Sequence, residues 1–386
     1  MIPPANSSLR VSFAVTAVVL AIALIPLPGN RARSILRSVR SPEPNNADRE
    51  GHAGGYYVGL IDGGPDMGRD ELTLRLLGKT SDWKSFHEIE ATRYLRGDFL
   101  QFELKPNEDK TVFGKRFTTN DRGLRDRAYA LAKPEGTFRV ALLGSSMDMG
   151  WGVSTDETYE NRLEDWLNAH AARRGITRRF EVINFAMAAY SPLHRLEVFR
   201  RKARDYQPDL VLYSSTMLDT RLLEIQLRNM LRDDQDPQYD FLRRALAAMD
   251  VSPADLRAEK DVIKSKIRPH LWPVIDATVG DLAARCRSED YGLAMIVIPR
   301  VGQSDSPELR GPSIESFAAI ASRHAVPLLD LSATFDNRDP ATIEIAAWDD
   351  HPNALGHKLL FQALAHAIAD NVTLYHTIFG VEPPTP

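Results

Sequence analysis

Two short segments, about half a chain apart, carry the side-chain types that nucleophilic chemistry needs. The first is Phe138-Arg-Val-Ala-Leu-Leu-Gly-Ser-Ser-Met-Asp-Met-Gly-Trp-Gly-Val153, an apolar run that stops at a glycine and two serines. The second is Trp348-Asp-Asp-His-Pro-Asn-Ala-Leu-Gly-His357, which sets two carboxylates beside a histidine just before a helical stretch. A hydroxyl is a weak nucleophile until a base takes its proton. Histidine does this near neutral pH, and a carboxylate fixes its tautomer and steadies the imidazolium that forms. Ser146, His351 and Asp349 supply these three parts, with Asp350 as the second candidate for the carboxylate. A fourth part is needed: N–H donors for the oxyanion that develops at the attacked carbonyl.

Such side chains have to be held by regular elements. Apolar runs at Arg139–Leu143, Glu181–Phe185, Leu210–Tyr213, Leu293–Ile298 and Pro327–Leu331 predict strands. Stretches at Tyr159–Ala172, Leu193–Asp205 and Ser313–His324 predict helices between most of them. Strand and helix in alternation imply an α/β fold with a parallel sheet covered on both faces. The expectation is a three-layer α/β/α sandwich around a parallel five-stranded sheet. In such sheets ligands bind beyond the carboxyl ends of the strands, which is where Ser146 falls. A long helical insertion at about 222–285 interrupts the pattern and exceeds a usual connection. It reads either as a cover or partner contact or as ordinary crossover helices. Residues 56–135 read as a β-rich lead-in, and the alternation in Phe99–Leu104 predicts a half-exposed strand.

On these blocks the chain resembles the SGNH hydrolases, the GDSL-like lipase/acylhydrolase superfamily. Leu143-Gly-Ser-Ser-Met-Asp-Met-Gly-Trp-Gly-Val153 is similar to the first block of that family, Gly-Asp-Ser with a following Gly-x-Gly-Val stretch, and the match places a nucleophile at Ser146. Val182–Tyr190 resembles the second block, Pro208–Asp219 the third, and Asp349–His357 the last, which carries the acid and histidine. Phe117–Asp126 resembles a segment that often precedes this domain in bacterial members. The resemblance covers about 98–370 without the helical insertion, and it implies an SGNH/flavodoxin-like sheet. It also implies ester hydrolysis or acyl transfer through an acyl-serine, with an oxyanion held at Ser146, Ala189 and the position of Leu218.

Departures from the pattern fall mainly at the oxyanion positions. Ser145 stands where the family has aspartate, and Ala189 replaces a glycine whose amide is a donor. Leu218 aligns with an asparagine and has no side-chain donor; Ser215 and Thr216 are the nearby hydroxyls that are candidates to replace it. The family often sets its acid three residues before the histidine, where this chain has Trp348, so Asp349 is taken two before. Asn184 either lines the site or forms a turn, and His357 is expected to pack or cap rather than react. Asp148 and Asp219 are expected to be solvated acids at helix starts. His194, His270 and His324 lack ligand spacing, so no metal is expected. The glycines of 144–152 lack a Walker lysine, so neither a nucleotide nor any other cofactor is expected.

The bulk numbers fit this reading. The chain has 386 residues, 43% hydrophobic and 26% charged, with net charge −4, which gives no electrostatic reason for a nucleic-acid partner. One cysteine, Cys286, excludes an intrachain disulfide and is expected to be inert packing. Val11–Leu27 is a nearly unbroken apolar run, at the short end of what spans a bilayer. It reads as an uncleaved membrane anchor, with a cleaved signal as the alternative. Arg31, Arg33, Arg37 and Arg40 after the run would keep the body in the cytoplasm, whereas the resemblance points to an extracytoplasmic, periplasmic body. The expected organisation is anchor or signal 1–28, linker 29–55, lead-in 56–135 and hydrolase-like domain 136–380. The expected function is a serine ester hydrolase acting on an acylated small molecule, lipid or polysaccharide. The alternatives are a catalytically decayed binding or assembly protein and an O-acyltransferase.

Overall fold

The computed structural model describes residues 86–257, 260–302, 307–346 and 349–384. The expected anchor, the linker and the start of the lead-in lie outside the described residues. Among the described residues no helix is long and apolar enough to cross a membrane.

Two small antiparallel pairs come first: β1 (Thr92–Tyr94) with β2 (Phe102–Leu104), and β3 (Asp109–Val112) with β4 (Lys115–Thr118). The main sheet is wholly parallel and contains β5 (Thr137–Leu143), β6 (Arg179–Asn184), β7 (Leu210–Ser215), β8 (Gly292–Val297) and β9 (Leu328–Asp330). Its order is β6-β5-β7-β8-β9. Counted within the sheet this is the 2-1-3-4-5 order of flavodoxin-like proteins, whose crevice opens where the winding reverses, beside the first strand. Every residue of β5 and β7 is buried, as a sheet covered on both faces demands.

Successive side chains on a strand point to opposite faces. On one face Ala141, Leu143, Ile183, Val211, Tyr213, Met295 and Val297 join an apolar cluster. On the other, Val140, Leu142, Val182, Leu210, Leu212, Ala294 and Ile296 join a second. Fully burying each such valine or leucine contributes roughly 1.5–3 kcal/mol relative to leaving it in water. The helices, in chain order, are α1 (Ser146–Met149), α2 (Tyr159–Arg173), α3 (Pro192–Arg201), α4 (Asp219–Arg232), α5 (Asp240–Ala248), α6 (Pro253–Arg257), α7 (Lys260–Ile267), α8 (Leu271–Ser288), α9 (Pro307–Arg323), α10 (Pro340–Ile343), α11 (Ala354–Asp370) and α12 (Val372–Phe379). Helices α3, α4, α8 and α9 bury apolar residues in the first cluster. Helices α2, α11 and α12 do so in the second. A final antiparallel pair, β10 (Glu344–Ala346) and β11 (Asp349–Pro352), leads into α11.

The long segment between β7 and β8 is helical, as the sequence suggests. Its last helix, α8, is an ordinary crossover that buries Val274, Ile275, Val279, Leu282 and Cys286 under the sheet. Cys286 is packed there, and burial pushes its thiol up to about 12.

One expectation about the lead-in fails. The Phe99–Leu104 strand is shorter and is buried on both sides, with Phe102, Glu103 and Leu104 all inaccessible. Its alternation is real, but the polar side is covered: Glu103 pairs with Arg93 and with Lys202. The lead-in joins the first apolar cluster through Phe86, Phe99, Phe102, Phe117 and Leu124.

Candidate active site

Ser146 opens α1 directly after β5, at the carboxyl end of the sheet's first strand. Ser145 is the N-cap, and its N–H donates to the Asp148 carboxylate at 2.7 Å. This short turn lifts the Ser146 side chain away from the strand. His351 and Asp349 lie on β11. Asn353 follows as N-cap of α11, its side chain accepting from Leu355 and Gly356, which fixes where the strand ends.

The fold brings the three side chains together across some two hundred residues of chain. The Ser146 Oγ lies 2.7 Å from His351 Nε2. His351 Nδ1 lies 2.5 Å from Asp349 Oδ1, and the His351 backbone N–H donates to the same oxygen at 3.2 Å. With Nδ1–H donated to the carboxylate, Nε2 is the ring atom that accepts the serine proton. All three residues are buried, Ser146 to 1% exposure, His351 to 3% and Asp349 to 8%. Burial works against the imidazolium, but the Asp349 carboxylate outweighs it, and the His351 pKa moves up. Burial likewise opposes the charged form of Asp349, but His351, its backbone N–H and the Trp151 indole hold that carboxyl below the usual range. The other candidate acid, Asp350, instead faces Arg300 in an ion pair.

The positions expected to hold an oxyanion are more uneven. Ala189 sits in the turn after β6 with φ 63°, the left-handed region that a glycine would occupy freely. An L-residue there costs roughly 1–2 kcal/mol, yet the peptide N–H is retained. The N–H groups of Ser146 and Ala189 donate to no other group among the described residues. Leu218 is the residue before α4, buried and apolar, and its own N–H goes to Thr216 Oγ1 at 3.1 Å. Thr216 is thereby engaged, and its hydroxyl also faces Asp219 at 3.4 Å. The Ser215 hydroxyl, at the carboxyl end of β7, is buried without a hydrogen-bond partner among the described residues.

Two expectations about acids are corrected. Asp148 and Asp219 are not solvated; both are wholly buried. Asp148 accepts from Ser145 N–H and from the Tyr159 hydroxyl at 2.6 Å, and burial raises its pKa. Asp219 receives both terminal nitrogens of Arg195, at 2.7 and 2.8 Å. Arg195 also donates to the carbonyls of Tyr190 and Ser214, so this buried pair ties the Ala189 turn to the end of β7. A fully desolvated, bidentate pair of this kind fixes geometry more than it adds stability.

Asn184 forms a turn: its Oδ1 accepts from Ala186 N–H and its amide donates to Asp148 O. His357 packs against Tyr159, accepting that residue's N–H at 3.2 Å, and burial lowers its pKa to about 3, so it stays neutral. The lead-in reaches the site too. Arg125 is buried and donates to the carbonyls of Met149 and Val153, while Asp126 accepts from Asn184 N–H at 2.7 Å. Among the described residues, one set of acids and histidine has ligand atoms mutually within 4.8 Å: Asp349, Asp350 and His351. Two of those side chains face each other and the third faces Arg300, so a cation there would have to break both contacts.

One site residue has no place in the sequence reading. Trp151 donates its indole N–H to Asp349 Oδ2 at 3.0 Å. A signal was available: a tryptophan has a large ring to bury, and a buried indole N–H seeks an acceptor.

No family model and no curated protein matches the chain. Among solved structures, similar chains include an alpha/beta hydrolase enzyme from the metagenome of Lake Arreo, Spain, at 19% identity and TM-score 0.39, covering 60% of this chain and 94% of that one. The lipase/acylhydrolase from Enterococcus faecalis is similar at 15% identity and TM-score 0.36, covering 64% and 100%. The psychrotrophic esterase EstA from Pseudoalteromonas sp. is similar at 12% identity and TM-score 0.37, covering 60% and 96%.

Proposed function

We propose that this chain is a divergent SGNH-type serine ester hydrolase working through an acyl-Ser146 intermediate. The observation that carries the reading is the unbroken relay Ser146 Oγ–His351 Nε2, His351 Nδ1–Asp349 Oδ1, at the carboxyl end of a parallel sheet. In this reading Oγ attacks the ester carbonyl as His351 takes its proton, and the oxyanion sits against the Ser146 and Ala189 amides. His351 then protonates the leaving alkoxide, and the acyl group stays on Oγ. Water, deprotonated by the same histidine, attacks the acyl carbon and releases the acid, and Oγ regains its proton.

A second reading has a specific observation behind it. Leu218 offers no donor to the oxyanion, and losing one such donor costs about 10²–10³ in turnover. That favours a non-catalytic binding or assembly protein on the same fold. Hydrolysis of p-nitrophenyl acetate across pH separates the two. The base must be neutral to accept the serine proton, so kcat/KM is high above the His351 midpoint and is lost as pH falls through it. Because that pKa is raised, the acid limb is expected to lie above the ordinary histidine value of about 6.5. No turnover by folded protein counts against the hydrolase, and a limb at or below that value counts against the hold of Asp349 on the imidazolium.

The substrate class we favour is an acylated polysaccharide or lipid of the cell envelope, met by a body held outside the cytoplasm on an N-terminal anchor. A reporter fused to the C-terminus and active on only one side of the membrane tests this placement. Activity confined to the cytoplasm would overturn it.

A further inference from the structure

We propose that Trp151 is a positioning residue of this site: its indole N–H holds Asp349 so that a single carboxylate oxygen faces His351, and rings of the lead-in hold the indole. The inference rests on the hydrolase reading above, but its test does not.

An indole N–H donates and cannot accept, so its partner oxygen must be an acceptor. The bond to Asp349 Oδ2 leaves Oδ1 for His351, and the two contacts together fix the plane of the carboxylate. Both residues are buried, Trp151 to 1% exposure, so water does not compete for either group. The indole is itself held edge-on by Phe86 at 5.3 Å, Phe113 at 5.5 Å and Phe117 at 6.5 Å. All three rings belong to the lead-in.

The backbone of Trp151 is fixed as tightly as its ring. Gly150 and Gly152 flank it with φ 77° and 78°, a conformation that side chains rarely adopt. A Cβ on Gly150 would meet Thr158 Cγ2 at 2.4 Å, and one on Gly152 would meet Ile345 Cδ1 at 2.2 Å. Arg125 closes the same turn through the carbonyls of Met149 and Val153 and lies over the Phe117 ring at 4.8 Å. Lead-in, tryptophan turn, Asp349, His351 and Ser146 thus form one continuous set of contacts. The first segment singled out in the sequence supplies both the nucleophile and, five residues later, the residue that orients its distant acid.

The test is Trp151→Phe in the full chain, which removes the N–H and keeps a ring in the cage. The His351 imidazole is titrated by NMR, and kcat and KM are measured on p-nitrophenyl acetate. The charged groups around His351 besides Asp349 are Asp350 on its own strand and Arg300 after β8, with His357 nearby; the substitution leaves them in place. Freed of its donor, the Asp349 carboxylate holds the imidazolium harder, so the His351 midpoint is expected to rise by several tenths of a pH unit. Turnover is expected to fall about 10–100-fold, with KM changed less than about twofold, because a hydrogen bond to a charged group is lost without a change in substrate contacts. An unchanged midpoint in folded Trp151→Phe overturns the proposal, whatever the turnover. If the parent does not hydrolyse the ester, the function fails and the titration still decides this inference. Should Trp151→Phe not fold, Phe113→Leu loosens the half-buried side of the cage while keeping the N–H. It is expected to move the midpoint in the same direction by a smaller amount, and no movement there counts against the proposal.

Discussion

Replacing Ser146 by alanine is expected to lower turnover of an activated ester by about 10⁴–10⁶-fold, without loss of folding. The alanine occupies less space in a wholly buried position, and the contact removed is the one to His351. What remains is attack by water on an ester held by the two amides and the site walls, and such residual catalysis is orders of magnitude slower than acyl transfer to an activated serine. Leu218 is the same in parent and variant, so a donor lacking there does not shrink the ratio. The check is paired: initial rates on p-nitrophenyl acetate and a thermal unfolding curve for both proteins. A folded Ser146→Ala that retains more than about a tenth of the parent rate would move the chemistry to another residue.

Asp349→Asn is expected to cost about 10⁴-fold in kcat, with KM little changed, and the reason is specific to this site. Trp151 can only donate, so it holds the amide oxygen of the new asparagine in preference to the longer His351 backbone N–H contact on the other side. The amide nitrogen is thereby turned to His351 Nδ1 and donates to it. The ring proton must then sit on Nε2, which faces Ser146 Oγ and can no longer accept from it. The geometry survives while the tautomer is reversed. Asp350→Asn makes the comparison, since Asp350 faces Arg300 in a part-buried ion pair while Asp349 is the acid on His351 Nδ1; its effect on kcat is expected to stay within about tenfold. Equal losses in the two variants would mean that the acid has been misassigned.

The sheet was legible because its strands are buried on both faces. Runs such as Val140–Leu143 and Leu210–Tyr213 are apolar without alternation, and serine and histidine at the expected places mark the carboxyl end. The Phe99–Leu104 strand misled because Glu103 is polar by type but inaccessible in place; its partner Lys202 lies 99 residues on, beyond any local pattern. Asp148 and Asp219 misled for the same reason, since a helix-start acid reads as solvated until Tyr159 and Arg195 are seen to cover it. At Ala189 the sequence showed only an alanine, while the φ of 63° shows a backbone conformation that a glycine adopts more easily. Trp151 was hidden most completely. Its meaning depends on an acceptor 198 residues away and on rings from a lead-in that sequence patterns describe only loosely.

The central claim is that Ser146 is a nucleophile activated by His351 and Asp349. It is tested most directly by mapping the site of a fluorophosphonate adduct. Attack on phosphorus forms an O–P bond and expels fluoride, so the adduct stays on the residue that attacked. The expected result is one adduct per chain, located by peptide mass on Ser146, absent from Ser146→Ala and formed far more slowly in Asp349→Asn. Folded protein that takes up no adduct, or carries it on any other residue, would contradict the account.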